Sequence, residues 1–362
     1  MFQLEEQQTV FNSLSDNDRE FPKAAFCLLN RLDLLKVTLP EKYNGKNLCK
    51  SIGNEQLLEI LKCIGRADLS VGRIYEGHIN ALLLIERYAS SSQKKKYYQD
   101  AAEGKLFSIW NTERSFEELE IFQKGESEFL LKGAKIFCSG GKNIQRPIIT
   151  AEGPEGSQMI VLEMENLPDL EEDWSLWKPT GMRASVSCRF DFSNIVIHKD
   201  QLLGKPNDYS QEPDFSGGAI RFAAVQLGGA EAMANAALEH LKNHERETDP
   251  YQKVRLARIT ILLESGRLWL AEVGRLADKG DSIEVETLLN YSNMVRTAIL
   301  DICTEVMQLA EQSVGLSGFI RDHPIEKLHR DLTTYLKQPG PDQALVNVGE
   351  YATQLKDLNN VK

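Results

Sequence analysis

Between Gly181 and Gly204 apolar and polar residues change places at every second position, with Val186, Cys188, Phe190 and Phe192 on one side of the alternation. That is the period of a half-buried strand. Ser193-Asn194 reads as a turn, and Ile195-Val196-Ile197 as a β-branched run that resumes the strand. The same texture extends backwards. Phe107 to Trp110 opens it. Glu120 to Ser139 reads as strands joined by turns at Lys124-Gly125 and Lys132-Gly133. Pro147 to Ala151 and Met159 to Glu163 are two more strands, and Leu167 to Pro179 a loop.

On both sides of this block the period changes to that of helices. Asn54 is placed to cap a helix with Leu57, Leu58, Leu61 and Ile64 on one stripe. Asp68 or Ser70 caps a longer, apolar and central helix that includes His78, read here as a histidine packed at a domain seam. Ser91 or Ser92 starts a short polar helix. Beyond the polar connection 205–217, Val225, Gly229, Met233, Ala237 and Leu241 recur every four residues. Their small members suit close helix packing. Leu256 to Leu270 carries a second stripe, a third helix runs from about Ile283 past Leu309, and a fourth from Pro324 to before Pro339. A last short one begins at Asp342. The pattern predicts an α+β chain, mostly α: an N-terminal helical domain over 1–105, a β-barrel-like domain over 106–205 and a four-helix bundle over 206–362.

Composition narrows the partners. The formal net charge of −11 argues against nucleic acid, whose phosphates need a basic surface. No apolar run approaches the roughly 18 residues of a membrane span, and the acidic N-terminus lacks the features of a secretory signal. Six cysteines, none in a CxxC pair and five in or beside apolar runs, read as buried reduced thiols of a cytoplasmic protein.

Several stretches, in their order, resemble the acyl-CoA dehydrogenase family of flavoproteins. They are QKKKYYQDAAEGK, Asn111-Thr112-Glu113, LKGAKIFCSGG, GMRAS with DFSNIVIHKDQLLG, IRFAAVQLGGAEAMANAALEH, Arg246, QSVGLSG, and Pro324-Ile325-Glu326-Lys327 leading to Arg330-Asp331. The resemblance covers nearly the whole chain. It implies FAD held between the β domain and the bundle, with part of the site from a neighbouring subunit, and therefore a homodimer or homotetramer. Thr112 and Ser139 match hydroxyl positions near the flavin edge and Phe137 an aromatic beside the ring. Arg246 matches an arginine reaching the partner's pyrophosphate. Gln312, Gly315 and Gly318 match a loop near the adenosine half. Taken singly, the hydroxyls read better as strand residues, and Arg246 and Gln312 as helix-end caps; the matching set reverses that.

Two departures bear on activity. After Glu113 the family has a Gly-rich phosphate loop, whereas this chain reads Arg114-Ser115-Phe116-Glu117-Glu118-Leu119-Glu120. Three carboxylates near a pyrophosphate would repel it. The family also keeps a glutamate that takes the proton α to a thioester, in one of two places. Here these fall on Pro339 and Ile220, neither an acid. Asp342, close to the first place, reads as the N-cap of the last helix. The resemblance thus implies a divergent FAD-dependent oxidoreductase acting on an acyl thioester or related acyl group, with no catalytic residue assigned. The alternatives are a flavin monooxygenase of the same fold, which needs no α-proton base, and a non-catalytic relative that keeps the fold for binding or assembly.

Overall fold

The computed structural model describes residues 19–48, 54–337 and 340–358. Among the described residues four α-helices come first: α1 (Lys23–Arg31), α2 (Glu55–Ala67), α3 (Leu69–Tyr88) and α4 (Ser91–Ala102). Each boundary has a local cause. Asn54 Oδ1 accepts from Leu57 N (2.8 Å) and Asp68 Oδ1 from Val71 N (2.9 Å), so Asp68, not Ser70, caps α3. The polar helix starts at Ser91, one of the two expected starts. Ser90 is its N-cap and shares a reciprocal capping box with Gln93. His78 is fully buried. Its Nδ1 accepts from Phe107 N (3.1 Å) and its Nε2 lies 2.8 Å from Leu35 O. It is the seam histidine the sequence implied.

The strands are β1 (Phe107–Trp110), β2 (Glu120–Gln123), β3 (Glu128–Lys132), β4 (Ala134–Cys138), β5 (Arg146–Gly153), β6 (Gly156–Val161), β7 (Cys188–Asp191), β8 (Val196–His198) and β9 (Leu202–Leu203). Seven of them form one sheet, in which β8-β3-β2-β5-β6-β9 are neighbours and β1 adds to β5 in parallel. β4 and β7 form a separate antiparallel pair. The turn at Gly133 is therefore a crossing from one sheet to the other. Its φ is +118°, and a Cβ there would stand 2.1 Å from Glu118 O, so only glycine fits. Phe190 and Phe192 are fully buried, and Phe190 stacks on Trp110 at 5.2 Å. Val186 is buried but outside the strand, with φ +40°, and β7 begins two residues later.

The second helical part has α5 (Asp214–Asn243), α6 (Pro250–Ala277), α7 (Val285–Val314), α8 (Pro324–Tyr335) and α9 (Pro341–Gln354). α7 packs along α5 and α6, and α2 covers α5 as closely as α7 does. Glycines permit the α2–α5 crossing. A Cβ on Gly65 would lie 2.3 Å from Val225 O and one on Gly228 2.0 Å from Lys62 O. Asp342 does not cap α9: Gly340, at φ +70°, occupies the cap, and Asp342 lies exposed in the first turn. Pro339 lies outside the described residues. Cys63, Cys138, Cys188 and Cys303 are buried, Cys27 is exposed, and all five are free thiols. Burial pushes the Cys63 and Cys188 thiols up to about 12, where they are poor nucleophiles. Cys49 lies outside the described residues. No described helix is long and apolar enough to cross a membrane.

Candidate functional site

The first group of candidate residues surrounds the exits of β1 and β4. Beyond Trp110 the chain is held by Ile136 N donating to Thr112 O (2.9 Å), which leaves the Thr112 side chain exposed. Glu113 turns inward and accepts from Lys135 Nζ and from Leu119 N (3.2 Å). Burial lowers the basicity of Lys135, and the Glu113 carboxylate opposes that shift. Lys135 Nζ also reaches Thr150 Oγ1 at 3.0 Å, so a buried charge is fully engaged.

At the end of β4, Phe137 takes φ +55° and remains 45% exposed, edge-on to Trp177 at 6.1 Å. A bulky residue in left-handed backbone is uncommon and costs on the order of 1 kcal/mol or more. The strain turns the ring outward. Ser139 is buried. Its hydroxyl meets Ser187 Oγ (3.0 Å), which meets Ser185 Oγ (2.9 Å), and its carbonyl accepts from Trp110 Nε1 (3.1 Å).

The segment Arg114–Glu117 borders an open concavity of about 590 Å³. Phe116 is 98% exposed there at φ +73°. Two of the three carboxylates expected to crowd this loop are engaged elsewhere. Glu117 accepts from Arg189 Nε (3.1 Å), and Glu120 starts β2 opposite Lys132. Glu118 between them is exposed.

The second group lies at one end of the bundle. Arg246 follows α5 and is exposed. Gln252 is buried and joins three residues: its amide oxygen accepts from Arg246 Nη2 (3.1 Å) and Arg255 Nη1 (3.2 Å), and its nitrogen donates to Ser313 Oγ (3.2 Å). Gln312, beside Ser313, is exposed, and Gly315 takes φ +71°. Gly318 has a packing reason of its own: a Cβ would come within 3.2 Å of both Ile325 and Val314. Two guanidiniums on a shared amide form a cationic patch of the kind a pyrophosphate takes. An exposed aromatic beside a hydroxyl likewise suits a flavin ring. Both donor sets fit the cofactor that the resemblance implies.

A third feature was not legible as a site. Between α3, β1 and α5 lies a cavity of about 60 Å³. Leu83, Leu84, Ile109 and Phe215 form apolar walls, and Asn80, Tyr209, Asp214 and Arg221 supply polar groups. Behind these is a buried chain. Arg221 Nε donates to Asn80 Oδ1, Asn80 Nδ2 donates to Glu76 Oε1, and Arg73 Nη1 donates to Glu76 Oε2 at 2.5 Å. Glu76 and Arg221 are 2% and 4% exposed. The available signal was Glu76 and Asn80, polar residues one helical turn apart inside an apolar helix. Ile220, where one family base would stand, is 1% exposed in the main hydrophobic core and is not among the residues lining this cavity. Among the described residues no group of three or more His, Cys, Asp or Glu is placed to hold a metal ion.

Helical, β and helical-bundle parts in this order define a mostly helical α+β architecture. Residues 4–105 match the acyl-CoA dehydrogenase N-terminal domain and residues 208–349 the acyl-CoA dehydrogenase C-terminal domain, and the chain belongs to the acyl-CoA dehydrogenase family. It is 22% identical to a mitochondrial isobutyryl-CoA dehydrogenase of Dictyostelium discoideum, over 94% of this chain and 84% of that protein. Its fold is similar to that of TdsC from Paenibacillus sp. A11-2, solved with FMN and indole. The TM-score is 0.88 at 17% identity, covering 97% and 96% of the two chains; the same protein is described as a dibenzothiophene monooxygenase. Butyryl-CoA dehydrogenase from Megasphaera elsdenii also has the fold, with a TM-score of 0.82 at 17% identity, covering 97% and 98%. The relatives thus include both dehydrogenases and monooxygenases.

Proposed function

We propose that this protein is a cytoplasmic FAD-dependent oxidoreductase acting on an acyl thioester or a related acyl group. Phe137 carries the reading. A half-exposed aromatic held at φ +55° beside the exposed Thr112 makes little sense as packing, and a flat ring laid against it would justify the strain. In this reading Thr112 and Ser139 border the ring, with Ser187 fixing the Ser139 hydroxyl. Arg246 reaches the pyrophosphate of the cofactor bound by a second subunit, with Gln312, Gly315 and Gly318 near its adenosine half, so the active form is a homodimer or homotetramer. A bound flavin supplies a two-electron acceptor. The protein supplies orientation, a cationic patch for the phosphates, and the cavity beside α3 and α5 for the substrate's inner end.

The monooxygenase reading stands second, and one observation favours it. Ile220 is apolar and buried, so no carboxylate waits there for an α-proton. A non-catalytic relative would need neither donor set.

The test is the absorption spectrum of the purified protein, with light scattering at micromolar concentration. A yellow oligomer that loses flavin when Arg246→Met or Phe137→Ala is introduced supports the reading. A colourless protein that takes up neither FAD nor FMN ends it. Anaerobic bleaching by acyl-CoA then separates dehydrogenase from monooxygenase.

A further inference from the structure

Cys138 and Cys188 are buried free thiols and register partners across β4 and β7. The ladder is irregular between Lys135 and Cys138 and regains register at this pair. The two chains stay close one residue further on, where Ser139 Oγ meets Ser187 Oγ at 3.0 Å. Directly opposed residues of an antiparallel pair have Cα atoms about 4.5 or 5.5 Å apart, and a disulfide needs about 4.4–6.8 Å. Their side chains leave the ladder on the same face. The register therefore meets the backbone condition for a disulfide without moving a strand. Each sulfur now has a weak contact of its own. Cys138 donates to Lys135 O (3.5 Å) and Cys188 to Glu172 Oε1 (4.0 Å), and a turn about χ1 gives these up. The two thiols differ in access. Glu172 is half-buried on the segment between β6 and β7, so Cys188 lies one side chain from solvent, whereas Cys138 is fully buried. Burial holds both thiols above their ordinary pKa, which makes them slow towards bulky reagents, and Glu172 and Asp173 beside Cys188 repel anions. The oxidant that fits is small and uncharged.

We infer that Cys138 and Cys188 are a reversible oxidation site, closing to a cross-strand disulfide when the protein meets hydrogen peroxide. Cys188 Sγ attacks one peroxide oxygen and the O–O bond breaks. Glu172 takes the thiol proton and returns it to the departing hydroxide, leaving a sulfenic acid and water. Cys138 Sγ then attacks the sulfenic sulfur, the S–O bond breaks, and a second water leaves as the S–S bond forms. Two thiols and one peroxide thus give one disulfide and two waters, the sulfurs losing the two electrons that the peroxide gains. The bond ties β4 to β7 beside the Ser139–Ser187 contact.

The experiment treats the full-length reduced protein with hydrogen peroxide at about pH 8.5, where more of each buried thiol is ionised, followed by alkylation and trypsin. The expected product is the peptide Ile136–Lys142 joined to Ala184–Arg189, which dithiothreitol separates again. The melting temperature is expected to rise by about 5 °C, because the closed loop restricts the unfolded chain, and to return on reduction. Oxidised glutathione, bulky and anionic, does not form the linked peptide. Cys188→Ser and Cys138→Ala, made separately, show no rise with peroxide. Because either replacement in the core can weaken the fold, the peptide map of the unmodified protein is the deciding measurement. Absence of the linked peptide once the exposed Cys27 is fully oxidised overturns the site. So do recovery of Cys138 and Cys188 as separate sulfinic acids, a link that forms only in urea, equal reaction with oxidised glutathione, or a rise in melting temperature that persists in both variants.

Discussion

Lys327 Nζ lies 2.9 Å from Asp68 Oδ2, although 259 residues separate them. The same ammonium is 2.8 Å from Asp331 Oδ2, and Asp331 Oδ1 accepts from Met182 N at 2.6 Å. Asp68 is also the cap between α2 and α3. One charged cluster therefore ties the N-terminal helices, the β block and α8 together. Burial alone would lower the Lys327 pKa, but the two facing carboxylates outweigh it and hold it above its ordinary value.

Removing the cation leaves two carboxylates facing each other with little water, which costs more than removing one of them. Lys327→Met is expected to lower stability by about 2–4 kcal/mol, below the full figure for a deeply buried pair because Lys327 is partly exposed. Asp331→Asn, which keeps an acceptor for Met182 N, should cost less than Asp331→Ala. Urea unfolding midpoints check the order. If Lys327→Met proves neutral, the cluster does not hold the three parts together.

His78 gives the fold a pH dependence. Burial lowers its pKa to about 4 from 6.5, since Nδ1 must accept from Phe107 N and the ring stays neutral. Above 6.5 the ring is neutral in both folded and unfolded chains. Between 6.5 and about 4 the unfolded chain takes up a proton that the folded one refuses, so stability falls across that window by up to about 3 kcal/mol. His78→Gln keeps a donor and an acceptor but cannot titrate, and it should flatten the window. Chemical denaturation of both proteins from pH 7 to 4 measures this; parallel curves would mean that His78 is not the group responsible.

These two centres show what sequence reading could reach. The caps Asn54 and Asp68 were legible because capping is a local matter, and the strand period from Cys188 to Phe192 because each second residue meets the core. The Asp68–Lys327 contact was not legible, since nothing local says which helix end meets which. The cavity was missed for a similar reason. Asn80 and Arg221 stand in different helices, and nothing local says that α3 and α5 bring them together. Gly340, in left-handed backbone, takes the α9 cap instead of Asp342, and Pro341 fills the first helical position.

Gly228 should tolerate no side chain. Gly→Ala inside a helix normally stabilises by about 1 kcal/mol. Here the new methyl would meet Lys62 O at 2.0 Å and Arg66 N at 2.6 Å, both backbone atoms of α2, so the helices must part. We expect Gly228→Ala to destabilise by about 2–4 kcal/mol, with Gly65→Ala similar. Exposed Gly349, with nothing within 4 Å, is the control, and its replacement by alanine should be neutral or stabilising. Thermal melts of the three variants decide it.

The last prediction concerns the missing base. The unmodified protein should be a slow acyl-CoA dehydrogenase, because general-base catalysis is typically worth about 10²–10⁴ in rate and Ile220 offers no carboxylate. Ile220→Glu would place an acid at the family position. Yet Ile220 is 1% exposed and packs in the main core with Ala223, Ala224 and Leu227. A glutamate there loses apolar burial and enters with no hydrogen-bonding partner provided, so it will be protonated or pushed outward at a cost of several kcal/mol. The expected result is a lowered melting temperature and anaerobic flavin bleaching within about threefold of the unmodified protein, far short of the range a positioned base would give. A hundredfold gain would show instead that residue 220 faces the substrate. Fast bleaching of the unmodified protein would mean that another carboxylate is the base, and Asp214, which lines the cavity, would be the first to replace with asparagine.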